Sequence, residues 1–279
     1  MEIIELNMDN VSEYNSALDP DVSESIGRDF YRGIVALNQG NNPVGAMIWE
    51  YKNMEEDVDT DAEIYLLNAK EEAPAKQMLD EYDEQTSACE VRRSYFEVSS
   101  LPEEVKQVFI DAGFEISDRE SDDLKLTVSD LKSLTALKKK VSKNTCGLGE
   151  LTELQFMQGV TTCLFNGRKG IVEDLEFMDK EWFEYDLSSC TITDGKINGM
   201  LLVHRFSSGA LMPVLFAATG PDSKIDLLNM IVYTARKATE LYSHDCTVVI
   251  RRHNKSVKAL SAKLFGKKTG EQVLYGCRE

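Results

Sequence analysis

Ile34-Val-Ala-Leu-Asn-Gln-Gly-Asn-Asn-Pro-Val-Gly-Ala-Met-Ile-Trp49 and Cys190-Thr-Ile-Thr-Asp-Gly-Lys-Ile-Asn-Gly-Met-Leu-Leu-Val203 follow one plan. Each reads as a strand, a tight turn holding a Gly, and a second strand with a Gly near its start. The strand glycines, Gly45 and Gly199, stand 154 positions apart. Farther on, Glu103–Phe114 and Lys255–Gly266 carry helical patterns that run out near Gly113 and Gly266, 153 positions apart. Any antiparallel sheet makes one hairpin. Two landmarks at almost one offset predict a duplicated domain.

Length and composition agree. A chain of 279 residues suggests about two domains, and 42% apolar content is enough for two ordinary cores. The longest apolar run, Ala210–Ala218, is far too short to span a membrane. Met1-Glu-Ile-Ile-Glu5 is acidic, without the basic start or small-residue cleavage site of a signal peptide. Cys89, Cys146, Cys163, Cys190, Cys246 and Cys277 are scattered, with no C-x-x-C and no clustering with histidine. That spacing argues against a metal site and a disulfide framework and for thiols in a reducing cytoplasm. The acidic Asp57-Val-Asp-Thr-Asp61 lacks the Gly and closing Glu of a calcium loop and reads as a solvated loop.

The net charge of −17 conceals a division. Residues 1–130 carry 32 acidic and 10 basic side chains, a net of −22, while residues 131–279 carry 16 and 21, a net of +5. The acidic half repels nucleic acid and anionic membrane, so neither is an expected partner. A phosphate-bearing ligand belongs in the second half; solubility alone is the other reading of the asymmetry.

Pattern and turn signals order the chain. Glu2–Leu6 reads as a strand, Asn10–Asp29 as a helical region, then the first hairpin, strand Ala62–Asn68, helix Pro74–Glu84 and strand Cys89–Val98. Helix Pro102–Ala112 and two strands, Phe114–Ser117 and Leu124–Val128, close the first half. Lys138-Lys-Lys140 and Gly147-Leu-Gly149 mark the boundary, so the expected domains are residues 1–130 and 150–279 with 131–149 as linker. In the second half, helices near Glu150–Phe165 and Val172–Glu184 precede the hairpin. Strand Leu211–Thr219, a long helix from about Ser223 to Leu241, strand Thr247–Arg251, helix Asn254–Phe265 and strand Gln272–Cys277 follow.

This order resembles the GCN5-related N-acetyltransferase superfamily, and nearly the whole chain takes part. Asp194-Gly-Lys-Ile-Asn-Gly199 looks like the family's hairpin between its second and third strands. Asn254-Lys-Ser-Val-Lys-Ala-Leu-Ser-Ala-Lys-Leu-Phe-Gly266 resembles its Asn-x-x-Ala-x-x-Leu-Tyr-x-Lys-Leu-Gly-Phe helix, and Val105–Phe114 is a fainter copy. The resemblance implies an α/β (α+β) fold: two tandem acyl-CoA N-acyltransferase-like domains, each a mixed, mostly antiparallel sheet flanked by helices. It also implies acetyl-CoA as cosubstrate, no metal, and direct attack of an amine on the thioester, which needs positioning and the handling of two protons.

The family seats the pyrophosphate at a helix N-terminus, where unpaired N–H groups and the dipole favour an anion. The matching turn here is Thr219-Gly-Pro-Asp-Ser-Lys224, with Thr219, Gly220, Asp222, Ser223 and Lys224 as candidate cofactor contacts and Asn254 beside pantetheine. Asp222 and Lys224 replace small residues of the family pattern. Ser223-x-x-Asp226 reads as a capping box, and a plain N-cap competes with phosphate for the same donors. Behind it, Ile225, Leu228, Ile231, Ala235, Ala238 and Tyr242 form a stripe expected to be core. The first half offers Ala69-Lys-Glu-Glu-Ala-Pro74, with no Gly and two carboxylates where phosphates would lie.

The family often uses a Tyr of its last helix as general acid; Phe109 and Ser261 stand there. Ser261 and Tyr275 are therefore the candidate acids, and Glu184, with Asp186 near it, the candidate base. His204 and His253 read as ordinary histidines. The leading expectation is a cytoplasmic acyl-CoA-dependent N-acyltransferase acting on a small-molecule or protein amine through its second half, with the acidic half shaping the acceptor cleft. The alternatives are an inactive tandem scaffold or binding protein, and an aminoacyl-tRNA-dependent ligase, which the charge opposes.

Overall fold

A computed structural model of the chain describes residues 1–52, 60–165, 175, 178–252, 255–266 and 268–279, with only the backbone of Phe165. It divides into two units, one of Met1–Ser121 with Glu271–Glu279 and one of Asp122–Gly270. The first unit contains β1 (Glu2–Glu5), α1 (Pro20–Ser23), β2 (Tyr31–Leu37), β3 (Pro43–Lys52), β4 (Asp61–Ala69), α2 (Glu72–Ala88), β5 (Arg93–Val98), α3 (Glu103–Asp111) and β6 (Glu115–Glu120). The second contains β7 (Asp123–Thr127), α4 (Val128–Lys132), β8 (Thr145–Gly147), α5 (Glu153–Phe165), β9 (Ser189–Thr193), β10 (Lys196–Arg205) and β11 (Leu211–Ala218). It continues through α6 (Ser223–Leu241), β12 (Thr247–Arg251) and α7 (Lys255–Phe265), and the last strand is β13 (Gln272–Arg278).

The first sheet runs β1-β2-β3-β4-β5-β13-β6 and the second β8-β9-β10-β11-β12-β7. Aligned, these are one order: four antiparallel strands, a parallel fifth, and an antiparallel sixth, with β6 added at one edge. The duplication read from the hairpins is a duplication of topology. The sixth strands are exchanged along the sequence. β7 follows β6 after Ser121 and Asp122 but pairs with β12, and the C-terminal β13 lies between β5 and β6. A cut at 131–149 therefore does not separate the two sheets. That segment contributes β8, which pairs with β9.

The landmark glycines share a cause. A Cβ at Gly45 would sit 2.7 Å from Cε of Met78 on α2, and one at Gly199 2.9 Å from Cε of Met230 on α6 and from Cβ of Ala218. In each unit a helix methionine lies on a strand that has no side chain there. Gly199→Val is expected to cost about 1–3 kcal/mol through overpacking, read as a lower unfolding midpoint of the second unit.

β10 shows how alternation builds two layers. Leu201 and Val203 pack with Met230, Ala235 and Ala238 of α6, whereas Met200 and Leu202 pack with Phe156 and Val160 of α5. The first sheet is likewise covered on both faces. Trp49, Tyr82, Phe96 and Phe109 lie in one layer, and Leu6, Ile26, Val35 and Ile48 in the other.

Several sequence expectations change. Asn10–Asp29 is mostly irregular, with one short turn at Val11–Tyr14 and the four-residue α1 behind Pro20. Of the expected helix Val172–Glu184, residues 172–174, 176 and 177 lie outside the described residues, and its described end is a turn at Lys180–Trp182. Ile225, expected in the core stripe of α6, is 59% exposed; the buried positions are Met230, Val232, Ala235 and Ala238.

Candidate functional site

In the second unit β11 and β12 are parallel neighbours that share a single ladder pair, Leu211 with Val248. β11 then runs seven residues farther, to Ala218, so the strands diverge and a wedge opens toward the turn that starts α6. Two strands in full register would leave no such gap. The turn is tied to β10 by Thr219, whose N–H (2.6 Å) and hydroxyl (3.2 Å) both donate to the Asn198 carbonyl. Gly220 follows at φ 85°, and a Cβ built on it would meet nothing within 4 Å among the described residues, so the turn is open to them above this residue.

Asp222 occupies the N-cap position of α6 but makes no side-chain capping bond; its carbonyl accepts from Ile225 and Asp226. The capping expected of Asp222 or Ser223 is thus not made by side chains; the Ser223 and Ile225 N–H groups donate to the Gly220 and Asp222 carbonyls, and the helix dipole still favours an anion at this end. Lys224 is exposed on that turn. Against it stand two carboxylates. Burial, and then the Asp222 charge, push the Asp226 carboxyl above its ordinary range. The backbone of this turn fits a pyrophosphate; its charge resists one.

The candidate proton carriers do not gather here. Ser261 is buried on α7, and its hydroxyl donates to the Lys258 carbonyl of its own helix at 3.0 Å. Tyr275 is on β13 and so belongs to the first unit. It is opposite Glu97 and Ser117, with the Arg119 guanidinium 3.5 Å from its ring centre. Burial, then its hydrogen bond with Cys277, pushes its phenol up to about 12, which weakens it as an acid. Glu184 accepts from the Tyr242 hydroxyl at 2.8 Å and, with Asp186, Arg205 and Asp245, lines a cleft of about 650 Å³. That cleft adjoins Ala210, at the start of β11, whereas the turn is at its end, roughly 25 Å away along an eight-residue strand. Asn254 and His253 lie outside the described residues. His204 is buried, stacked on Trp182 at 3.5 Å, with Nδ1 2.9 Å from the Trp182 carbonyl oxygen. Among the described residues no group of three or more metal-ligating side chains comes together.

The first unit repeats the divergence: β4 and β5 pair only over Asp61–Ile64 and Arg93–Phe96. The helix beyond, α2, starts at Glu71-Glu72, and Glu71 makes no capping bond. Its N-terminus presents two carboxylates and no glycine. The densest polar cluster in this unit lies elsewhere, on a row of opposed residues Tyr31, Glu50, Glu63 and Tyr95 across β2–β5. Glu50, 1% exposed, lies 3.0 Å from the Tyr31 hydroxyl and 2.9 Å from the Tyr65 hydroxyl. Lys52 is ion-paired to Glu50, and its Nζ stands 2.9 Å from the Tyr65 hydroxyl and 3.6 Å from Glu63. Burial, then the Glu63 and Asp61 charges, raises the Tyr95 phenol. Sequence reading missed this cluster; Glu50-Tyr-Lys52 and Glu63-Ile-Tyr65 show only strand alternation.

No protein-family model and no curated protein matches the sequence. Solved structures match the fold. A tandem GNAT protein from the clavulanic acid biosynthesis pathway superposes over 100% of this chain and 98% of its own, with TM-score 0.62 and 13% identity. The structure of FemX covers 99% of this chain and 97% of its own at TM-score 0.55 and 11% identity. A GCN5-related N-acetyltransferase from Kribbella flavida covers 83% and 85% at TM-score 0.51 and 9% identity. The chain therefore has the tandem GCN5-related N-acetyltransferase fold, an acyltransferase fold.

Proposed function

We propose that the second unit binds an acyl-CoA, acetyl-CoA in the simplest case, and that the protein is an N-acyltransferase for a small-molecule or protein amine. The observation that carries the reading is the wedge between β11 and β12 leading to the start of α6, where Asp222 makes no side-chain cap. An acyl thioester supplies the activated carbonyl. The N–H groups of Gly220, Asp222 and Lys224 and the Lys224 ammonium would hold its phosphates, against the repulsion of Asp222 and Asp226. Position and desolvation then carry most of the rate, since the amine attacks the thioester directly. The acidic, glycine-free start of α2 disfavours a second acyl-CoA in the first unit. The scattered thiols support a cytoplasmic protein and the charge division one without nucleic-acid or membrane partners; among the described residues no helix is long and apolar enough to cross a membrane.

A second reading, a binding protein or scaffold without catalysis, draws on the dispersal of Ser261, Tyr275 and Glu184. The two readings separate in a thermal-shift titration of the whole chain with acetyl-CoA, followed by a free-thiol assay with a panel of amines. A ligand at ~100 times its dissociation constant adds ~2.7 kcal/mol. Asp222 makes no cap, so Asp222→Gly is expected to leave the melting temperature nearly unchanged and to tighten acetyl-CoA several-fold. No shift with either protein removes acyl-CoA from the proposal. A shift without thiol release favours the scaffold. Weaker binding by the Gly variant would mean that Asp222 positions the ligand instead of repelling it.

A further inference from the structure

The second sheet ends in β8, a three-residue edge strand in which Cys146 is directly opposite Cys190 of β9. Their sulfurs are 3.3 Å apart, and both are thiols. Cross-strand neighbours hold their Cβ atoms about 4.5–5.5 Å apart, against about 3.5–4.5 Å across a disulfide. Bond formation at about 2.05 Å then asks for a shift of roughly 1 Å. An edge strand held from one side can make that shift; a central strand cannot.

The two thiols are not equivalent. Cys146 is partly exposed, while Cys190 is fully buried on the α5 face of the sheet, in the layer of Phe156, Val160 and Met200. The hydrogen bond between them lowers the Cys146 thiol below its ordinary value and, with burial, raises that of Cys190. A thiolate-prone, accessible sulfur beside a buried partner is the arrangement in which one cysteine attacks and the other resolves.

We infer that Cys146 and Cys190 form a two-cysteine oxidation site for a hydroperoxide, with Cys146 as the attacking sulfur and Cys190 as the resolving one. The Cys146 thiolate attacks the terminal oxygen of the peroxide. The O–O bond breaks, Cys146 becomes a sulfenic acid, and the leaving oxide takes a proton to become water or an alcohol. The Cys190 sulfur then attacks the sulfenic sulfur. An S–S bond forms, and the expelled hydroxide takes the Cys190 proton and leaves as water. Two thiols lose two electrons and the peroxide gains them. A thiol reductant reverses the step by exchange, as suits a reducing compartment.

The link would staple β8 to β9 on the α5 face, next to the residues by which both strands touch α6. A Cβ at Gly147 would lie 2.6 Å from the Tyr233 hydroxyl, and the Ser189 hydroxyl is 3.1 Å from that of Thr234. Oxidation is therefore expected to slow hydrogen exchange along β8 and β9 and to raise the melting temperature of the second unit by several degrees.

The test treats the intact chain with hydrogen peroxide, blocks remaining thiols by alkylation, and maps peptides without reduction. The expected result is loss of two of the six thiols, one linked peptide joining Cys146 to Cys190, and full recovery with dithiothreitol. Cys190→Ser should stop at a sulfenic acid on Cys146 that dimedone captures, and Cys146→Ser should leave Cys190 unreacted. Six alkylated cysteines after peroxide, or a linked peptide joining other positions, overturns the site. Equal peroxide reactivity of Cys190 in the Cys146→Ser protein overturns the assignment of roles.

Discussion

Deleting residues 271–279 is expected to unfold the first unit, which begins some 270 residues earlier in the sequence. β13 is an interior strand of the first sheet. It pairs with β5 from Leu274–Val98 to Arg278–Ser94 and with β6 from Gln272–Glu120 to Cys277–Glu115. Without it β5 and β6 would face each other across two strand spacings, about 9.6 Å, with a row of unpaired N–H and C=O groups on each side. The core opens as well. Gly276 is the position where a backbone without a side chain passes against the Phe96 ring, and Phe96 is packed by Phe109 and Phe114. Arg278 pairs with Asp83 of α2, donates to the Ala112 carbonyl at 3.3 Å, and lies 4.7 Å over Phe114. These losses together exceed the ~5–15 kcal/mol by which a domain is usually stable. Hydrogen exchange on the truncated chain should show protection lost over β2–β5 and kept over β10, β11 and α6. A synthetic peptide of residues 271–279 should restore it by strand addition. Full protection of β5 and β6 in the truncated chain would refute the exchange of strands.

The same exchange explains why the duplication was legible in the sequence and the division was not. Gly45 and Gly199 carry a local signal, a strand glycine after a turn, and the physical demand on each, a methionine lying across it, recurs with Met78 and Met230. Asp194-Gly195 is a two-residue turn with both residues at positive φ, the turn that this pair favours. Leu124–Val128 and Gln272–Cys277 also read as strands, found at Asp123–Thr127 and Gln272–Arg278, with Val128 opening α4. Which sheet each joins is decided by partners more than 100 residues away, and period-2 alternation is silent about partners. β8 is not legible in the sequence, because three residues are too few for alternation to show. At the candidate site the turn and the start of α6 at Ser223 were readable because Gly and the helical period mark them. The positions of Glu184, Ser261 and Tyr275 were not. Each was assigned from a resemblance whose Tyr position is Ser261 here, and side-chain convergence depends on packing that no local pattern encodes.

The largest single-residue effect away from the glycines is expected at Lys52. Glu50 is a carboxylate almost wholly out of water, and Lys52 is its ion partner. Tyrosine hydroxyls satisfy one of its oxygens, while Oε1 is buried with no hydrogen-bond partner among the described residues. Removing one member of a buried pair leaves an uncompensated charge and typically costs 3–5 kcal/mol. The Lys52 side chain is 21% exposed, so water can partly replace its ammonium, and Lys52→Met is expected at the lower end, about 3 kcal/mol. Glu50→Gln in the same background removes the charge and keeps an acceptor for the tyrosines, so the double variant should recover most of that loss. The coupling read from the four proteins isolates the charge term. Denaturant dependence of hydrogen exchange at β3 is the suitable measurement, because it reports the first unit alone. A cost below about 1 kcal/mol for Lys52→Met would equal that of a surface ion pair. Water would then have to reach Glu50 from the β3–β4 side, and the cluster would be a hydrated site instead of a sealed one.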